Sequence, residues 1–234
     1  MCETFIKNGW LRLQKEKIAK NIISKLNKDT SYLLDLGCGP GFYTHYLRKS
    51  CYIYVGVDKQ KNEEWKKIKN KRIFFVVGDA EKLPFRSESL DCIILEDILH
   101  HVNHKEKVIN ELFNILKKRG KIIVIEANKK NLVMNYYWYY FHHHHFYIQE
   151  IEKLFRNFKV VSKNYIESYP FYCISLRPQL LPFTFSFLSI RLLAQVTFFR
   201  KILLLIQKMI ESNEIINKYS SFNLLCLEKL EEVR

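Results

Sequence analysis

The chain has 234 residues, of which 48% are apolar and 15% aromatic, so it can bury one core without disulfides or a structural metal. Its six cysteines form no Cys-x-x-Cys pair, which excludes a zinc ribbon and a dense disulfide framework. The formal net charge of +14 favours an anionic partner such as nucleic acid, a phosphorylated metabolite or a lipid surface. A solvated, lysine-rich surface explains the same charge.

We expect neither secretion nor membrane spanning, because no basic-then-apolar segment opens the sequence and no uncharged apolar stretch is long enough to span a bilayer. We therefore expect a cytoplasmic protein, with peripheral contact at a membrane surface as an open alternative.

Residues 1–30 predict an amphipathic helix, because apolar side chains recur at three- to four-residue intervals among lysines. The basic face of this helical cap is expected to be solvated, while contact with a membrane or a substrate is the alternative.

From Tyr32 onward, short apolar runs alternate with longer stretches of helical period. The runs predict strands over residues 32–36, 52–57, 73–77, 92–95 and 121–125. The clearest helix spans residues 105–118, and another is predicted over residues 42–49. Strands without polar alternation, separated by helices, predict a doubly wound parallel sheet covered on both faces.

After Asn128 the composition becomes aromatic and histidine-rich, notably over residues 136–146. This block either borders an acceptor pocket by ring stacking or roofs the sheet. A helix over 148–155 and a strand over 158–166 follow. Beyond three prolines, an apolar helical stretch is predicted over 183–210, and a final strand begins at Ser221.

The segment Leu33 to Gly41 is a buried strand that runs into a glycine-rich turn, and a helix follows. Glycines allow the backbone to approach a ligand closely, and the start of a helix offers unpaired N–H groups. The pattern predicts a nucleotide-type cofactor loop, although a tight turn without a ligand has the same composition.

Acidic residues follow the next three strands. Asp58 ends the second strand, where a doubly wound fold places the carboxylate that accepts ribose hydroxyls. Asp79 and Ala80 follow the third strand, where an acid and a backbone N–H can bind adenine. Glu96 ends the fourth strand, at the carboxyl edge where ligands of open α/β sheets bind.

With these residues assembled, the chain resembles the class I S-adenosylmethionine-dependent methyltransferases. Within that superfamily it resembles the small-molecule branch that includes the ubiquinone and menaquinone biosynthesis methyltransferases. The resemblance covers about residues 31–168 and rests on four segments in order: LLDLGCGPG, VGVD, GDAEKLPF and LDCIILEDILHHV.

The resemblance implies an α/β fold with a Rossmann-like sheet of seven strands, mostly parallel with an antiparallel last strand, and helices on both faces. One domain is expected. It comprises a helical cap (1–30), a cofactor-binding core (31–168), a helical insertion that caps the substrate (169–220) and the last strand (221–230).

The resemblance also implies an enzyme that uses S-adenosyl-L-methionine, and it implies a role for each motif residue. Asp35 binds the methionyl amino group, and Glu96 lies at the methionyl end. Asp58 binds the ribose, and Asp79 and Ala80 bind the adenine. The loop along which the cofactor lies is formed by Gly37, Gly39 and Gly41.

A general base is needed only if the acceptor loses a proton. His101 is the candidate catalytic residue, and packing or capping is the alternative role for it. No metal is expected, since the adjacent histidines at 142–145 cannot all face one ion from a regular element.

The expected acceptor is small or hydrophobic: quinone-like, prenyl-like or lipid-like. An RNA methyltransferase is the alternative suggested by the charge, but the position after the fourth strand reads Glu-Asp-Ile-Leu instead of Asn/Asp-Pro-Pro-Tyr. A non-catalytic cofactor-binding scaffold is a further alternative. A nicotinamide dinucleotide enzyme is disfavoured, because Asp35 would repel a pyrophosphate. The departure Lys118-Arg119-Gly120 from the usual Lys-Pro-Gly-Gly is expected to alter a turn away from the site.

Overall fold

The computed structural model describes residues 9–131, 144–166 and 222–230, together with residues 205, 212, 213, 218 and 220. The strands are β1 (Tyr32–Leu36), β2 (Ile53–Asp58), β3 (Ile73–Val77), β4 (Leu90–Glu96), β5 (Leu116–Ala127), β6 (Phe158–Ile166) and β7 (Phe222–Lys229). The α-helices are α1 (Gly9–Ile23), α2 (Thr44–Leu47), α3 (Lys105–Ile115) and α4 (Ile148–Leu154). Short 3-10 helices span Glu63–Lys67 and Leu99–His101.

The seven strands form one sheet in the order β3-β2-β1-β4-β5-β7-β6. The first five strands pair in parallel. The last strand, β7, is antiparallel to both of its neighbours, β5 and β6. The predicted doubly wound, mostly parallel sheet with an antiparallel last strand is therefore confirmed. This order brings the carboxyl ends of β1 to β5 to the same edge.

Apolar side chains cover both faces of the sheet. On one face, Val108, Ile109 and Leu112 of α3 and Ile151 of α4 belong to a buried cluster with β1, β4 and β5. On the other face, α1 contributes Ile18, Ala19 and Ile22 to a second cluster, which also contains Tyr54 of β2. The two clusters account for the uninterrupted apolar strands, because a strand with helices on both sides has no solvated face.

Two helices are shorter than the sequence predicts. The N-terminal helix ends at Ile23 instead of continuing to residue 30. The helix after the glycine turn spans only Thr44–Leu47 instead of residues 42–49. Two successive turns, Gly41 N–H to Cys38 carbonyl and Thr44 N–H to Gly41 carbonyl, use the backbone that would otherwise begin the helix.

The chain between α3 and the middle of β5 also differs from the prediction. The helix predicted to Lys118 ends at Ile115, and Leu116 already pairs with Leu90 of β4. Lys118-Arg119-Gly120 is therefore not a turn before the strand but an irregularity within β5, where Arg119 has a φ of +60°.

Most of the predicted aromatic block (136–146) and almost all of the predicted cap (169–220) lie outside the described residues. Among the described helices, none has the length and apolar character needed to cross a membrane.

Candidate active site

Three glycines turn the chain sharply between β1 and α2. Gly37, Gly39 and Gly41 have φ angles of +78°, +51° and +84°, in the left-handed region that favours glycine. The N–H of Gly37 donates to the Val57 carbonyl at 2.7 Å, so the turn begins against the end of β2. A Cβ atom at Gly37 would lie 2.9 Å from Cδ1 of Ile98, so this side of the turn cannot hold a larger residue without a shift.

Asp58 ends β2, and its carboxylate holds the glycine turn in place. One oxygen accepts the N–H of Gly39 at 2.8 Å, and the other accepts the N–H of Gln60 at 3.0 Å. The Trp65 indole donates to the Gly39 carbonyl at 2.7 Å. Each carboxylate oxygen can accept a further hydrogen bond, so Asp58 can both support the turn and bind a hydroxyl.

Asp35 is a buried carboxyl group within β1, beside the turn. It accepts a hydrogen bond from the Tyr54 hydroxyl of β2. The pKa of Asp35 is raised from 3.8 to about 7, mainly because the carboxyl group is buried. The Tyr54 hydrogen bond opposes this rise, and the nearby Glu96 carboxylate adds to it. A cation bound beside Asp35 would favour its ionised form.

Glu96, at the end of β4, forms a buried ion pair with Lys15 of α1. The distance from Lys15 Nζ to Glu96 Oε1 is 2.8 Å. The Tyr43 hydroxyl donates to the same Glu96 oxygen. Neither Lys15 nor Tyr43 was predicted. Lys15 is distant in sequence from the motif segments, and nothing in the spacing of α1 distinguishes it from the other lysines there.

Glu126, near the end of β5, holds the loop that follows β4. Its Oε1 accepts the N–H of Ile98 at 2.9 Å and that of Leu99 at 2.6 Å. Its Oε2 lies 2.9 Å from Nδ1 of His100. Burial raises the pKa of Glu126 to about 8, against the lowering effect of the two N–H donors. Glu126 was not predicted, and the signal that could have identified it is an acid near the carboxyl end of the fifth predicted strand.

Asp97 lies beside this arrangement with a φ of +50°. Burial, followed by the nearby Glu96 and Glu126 carboxylates, raises the pKa of Asp97 to about 8. Potential metal-ligating atoms of Asp97, His100 and Glu126 lie within 4.8 Å of one another. Glu126 lies in this cluster because its carboxylate accepts hydrogen bonds from the backbone of the loop after β4.

Asp79 follows β3 and is far more exposed than the other acids. It accepts the Glu81 N–H at 2.9 Å, and Lys59 Nζ lies 3.6 Å from its other oxygen. The Glu81 N–H holds the pKa of Asp79 below its usual value of 3.8, and Lys59 lowers it further. Asp79 is therefore ionised at neutral pH, with the small Ala80 next to it.

His101 lies at the outer end of the site, and its side chain is exposed. Its ring centroid is 4.1 Å from that of His100. Partial burial lowers the pKa of His101 below 6.5, and the neighbouring His100 lowers it further. The ring is therefore neutral at physiological pH, which is the form that can accept a proton.

These elements surround one cavity of about 620 Å³ at the carboxyl edge of the sheet. Every predicted site residue except Gly41 lines it: Asp35, Gly37, Gly39, Asp58, Asp79, Ala80, Glu96 and His101. Gly41 belongs to the same turn but does not line the cavity. Lys15, Tyr43 and Asp97 also line the cavity without having been predicted. The volume lies within the range of small-molecule and cofactor sites.

The sequence matches a family model described as a methyltransferase domain over residues 34–124. An uncharacterized protein of Methanocaldococcus jannaschii is 28% identical over 137 residues, which cover 58% of this chain and 51% of that protein. The ubiquinone/menaquinone biosynthesis C-methyltransferase of Wigglesworthia glossinidia brevipalpis is 28% identical over 125 residues, or 48% of this chain and 50% of the relative. The matched region thus spans about half the length of these curated relatives.

Solved structures share the fold at low sequence identity. A putative methyltransferase from Haloferax volcanii, solved in complex with the Trm112 methyltransferase activator, has a TM-score of 0.66 at 14% identity, covering 98% of this chain and 95% of the other. A SAM-dependent methyltransferase from Archaeoglobus fulgidus has a TM-score of 0.63 at 16% identity, covering 93% and 94%. The chain therefore shares the fold of these methyltransferase structures, and its residues 34–124 match the methyltransferase domain model.

Proposed function

We propose that this protein is an S-adenosylmethionine-dependent methyltransferase that acts on a small or hydrophobic acceptor. The observation that carries the proposal is that one cavity at the carboxyl edge of the sheet gathers the glycine turn with Asp35, Asp58 and Asp79. These residues come from two strands, β1 and β2, and from the loops after β1 and β3, yet all face one space of cofactor size.

The residues present fit the cofactor along its length. Asp58 can accept the ribose hydroxyls, since its two oxygens are fixed by backbone donors and retain lone pairs. Asp79, ionised and exposed, can accept the adenine amino group, with the backbone N–H of Ala80 next to it. The turn at Gly37 and Gly39 allows the backbone to approach the ligand without a side chain between them.

The methionyl end would lie where the wall is most acidic. Asp35, Glu96 and Asp97 line that part of the cavity. A sulfonium and an ammonium are both cations, so the three acids favour the charged methyl donor over its neutral fragments. The raised pKa values of Asp35 and Asp97 reflect their burial beside other acids, and a bound cation would relieve this repulsion.

When bound, S-adenosylmethionine supplies a methyl group on a sulfonium that is already an excellent leaving group. The protein therefore has to align the acceptor with the methyl carbon and exclude water. Where the acceptor carries a phenol or an amine, His101 can take the proton, because its ring is neutral and lines the cavity.

The acceptor class is inferred from one relative and from the composition of two segments. The relative from Wigglesworthia glossinidia brevipalpis is a ubiquinone/menaquinone biosynthesis C-methyltransferase, which favours a quinone-like acceptor. The aromatic residues between β5 and α4 and the apolar stretch at 183–210 are suited by composition to a flat or apolar molecule.

Thermal melting with S-adenosylhomocysteine and, separately, with NAD tests the cofactor assignment. At about a hundredfold excess over the dissociation constant, a specific ligand should stabilise the fold by roughly 2.7 kcal/mol. We expect a shift of several degrees with S-adenosylhomocysteine alone, and its loss in Asp58→Ala. Glu106→Gln, which replaces an exposed acid outside the cavity, is the control. A shift with NAD, or with neither ligand, would contradict the proposal.

A further inference from the structure

A second cavity, of about 540 Å³, lies between α3 and α4, and we call it the α3–α4 cavity. It shares no lining residue with the cavity at the carboxyl edge. Its lining includes His144 and Phe146, which end the aromatic and histidine-rich block of the sequence. The volume is within the range of small-molecule sites.

Part of the lining of the α3–α4 cavity is apolar. Ile109 and Phe146 are buried members of the cluster that α3 and α4 form with the sheet, and Leu154 packs against that cluster while remaining partly exposed. The His144 ring meets the Phe146 ring edge-on, with 4.8 Å between the centroids. A ligand in this cavity would therefore bury apolar groups as well as contact polar ones.

The α3–α4 cavity begins near the carboxyl edge of the sheet. Lys105 is the first residue of α3, and its Nζ donates to the carbonyl of Val102, which lines the carboxyl-edge cavity, at 2.8 Å. Phe146 precedes α4, and its backbone pairs with Asn128, just beyond the carboxyl end of β5. Both helices therefore start at this edge.

The other end of the α3–α4 cavity lies toward the opposite edge of the sheet. The ring of Phe113, in the last turn of α3, is 5.4 Å from the ring of Phe158, which begins β6. Arg156 and Asn157 line the cavity and directly precede Phe158. The two helices therefore run side by side in the same direction, with the cavity between them.

The end at the carboxyl edge has no excess of positive charge. Its one lysine, Lys105, is accompanied in the lining by two acids of the first helical turns, Glu106 and Glu150. Partial burial lowers the pKa of His144 below 6.5, so its ring adds no charge at neutral pH. An anionic group would be repelled at this end.

The opposite end is cationic. It is lined by Lys153 and Arg156, together with the amides of Asn110 and Asn157. Neither cation forms an ion pair with any residue in the described part of the chain. A guanidinium and an ammonium beside side-chain amides are suited to a phosphate or a carboxylate.

We propose that the α3–α4 cavity is a second ligand site, which binds an amphiphilic anion: a molecule with a phosphate or carboxylate group and an apolar body. Lys153 and Arg156 bind the anionic group, and the body lies along Ile109, Leu154 and Phe146. This site goes beyond the proposed function, because it uses neither the cofactor nor any residue of the carboxyl-edge cavity.

Calorimetric titration with three probes separates the charge from the apolar body. Octyl phosphate, kept below its micelle concentration, carries both, inorganic phosphate carries only the charge, and 1-octanol carries only the chain. We expect octyl phosphate to bind with a stoichiometry of about one and at least about a hundredfold more tightly than inorganic phosphate, because each buried methylene contributes about fourfold. It should bind on the order of tenfold more tightly than 1-octanol.

Variants of the cationic end give the matched comparison. Arg156→Met and Lys153→Met should each weaken octyl phosphate binding on the order of tenfold and leave 1-octanol binding within about twofold. Arg86→Met and Lys159→Met, which remove exposed cations outside both cavities, should change neither affinity. All four side chains are exposed, so each variant should melt within a few degrees of the wild type.

A free metabolite and a lipid headgroup share this chemistry, and flotation with anionic liposomes distinguishes them. If Arg156→Met loses octyl phosphate binding but floats as the wild type does, the ligand is a free amphiphile. If it loses both, the ligand is a lipid headgroup.

Two results would overturn the inference. Octyl phosphate might bind no more tightly than inorganic phosphate, or Arg156→Met might lose no more affinity than Arg86→Met. Either result would mean that the net charge of +14 attracts the anion without a site.

Saturation with S-adenosylhomocysteine separates this inference from the proposed function. Octyl phosphate should keep its affinity, because the two cavities share no lining residue. Displacement by S-adenosylhomocysteine would place octyl phosphate in the carboxyl-edge cavity and overturn the second site. A protein that binds octyl phosphate at Arg156 but does not bind S-adenosylhomocysteine would contradict the proposed function alone.

Discussion

Asp35 is the acid at the site whose protonation depends most directly on its burial in β1. Its pKa is about 7 in the folded protein because the carboxyl group is buried, whereas the ordinary value is 3.8. The folded state therefore binds more protons than the unfolded chain between about pH 4 and pH 7. The free energy of unfolding falls as the pH rises through that interval, by at most about 1.4 kcal/mol per unit for this group.

Thermal melting of the ligand-free protein between pH 5 and pH 8 checks this prediction. We expect the slope of the melting temperature against pH to be more negative in the wild type than in Asp35→Asn, which cannot ionise. Histidines with lowered pKa values, such as His101, act in the opposite direction in both proteins, so the difference between the two slopes isolates Asp35. Asp97 and Glu126, with pKa values of about 8, extend the same trend to higher pH in both proteins. Equal slopes below pH 7 in wild type and variant would contradict the assignment.

Two positions of the glycine turn, Gly37 and Gly39, allow the cost of backbone strain to be separated from the cost of steric overlap by a Cβ atom. Gly37 and Gly39 both have positive φ, so alanine at either position should cost about 1–2 kcal/mol of stability. A Cβ atom would also meet Ile98 Cδ1 at 2.9 Å at Gly37, whereas nothing lies within 4 Å at Gly39. Denaturant unfolding should therefore show a larger loss for Gly37→Ala than for Gly39→Ala. Equal losses would mean that Ile98 moves aside freely.

At the scale of elements, the Glu126 carboxylate of β5 fixes the backbone of the loop after β4. Glu126 accepts the N–H groups of Ile98 and Leu99, so its removal leaves two donors without their partner. We expect Glu126→Ala to cost about 2–4 kcal/mol in urea unfolding. Amide hydrogen exchange at Ile98 and Leu99 should also become faster.

Glu126→Gln is the matched variant, since its amide oxygen can still accept both N–H groups. It should cost about 1 kcal/mol and leave the two amides protected. A Glu126→Ala variant as stable as the wild type would show that the loop is held by other contacts.

The elements show where sequence reasoning succeeds. Strands such as β1 (Tyr32–Leu36) and β3 (Ile73–Val77) have the predicted bounds. A strand in a sheet that is covered on both faces is an uninterrupted apolar run, and such a run is visible in the sequence. The motif residues at the ends of β1 to β4 reach one cavity because parallel strands bring their carboxyl ends together.

Other features depend on contacts that no local pattern encodes. The irregularity at Lys118-Arg119-Gly120 arises from pairing between Leu116 and Leu90, which depends on where β4 begins. Lys15 joins the site across 81 residues of sequence, and only the docking of α1 selects it from the lysines of that helix. Helix α2 is shorter than predicted because the backbone groups between Cys38 and Thr44 form two successive turns instead of the first turn of the helix.

At the scale of the whole molecule, the net charge of +14 gives a testable consequence for the acceptor. If a lipid-like acceptor is reached from a membrane, the protein should float with anionic liposomes at low salt. About 1 M salt, where the Debye length is roughly 3 Å, should release it. Neutral liposomes are the control, and an absence of flotation with anionic vesicles at low salt would remove the membrane from the proposal.

The central claim is that the cavity at the carboxyl edge binds S-adenosylmethionine, and calorimetric titration tests it most directly. We predict that S-adenosylhomocysteine binds the wild-type protein with a stoichiometry of about one. Asp58→Asn should weaken that binding on the order of tenfold or more, because the ribose hydroxyls lose a charged acceptor. A folded wild-type protein that gives no binding signal, or an Asp58→Asn variant with unchanged affinity, would contradict this account of the site.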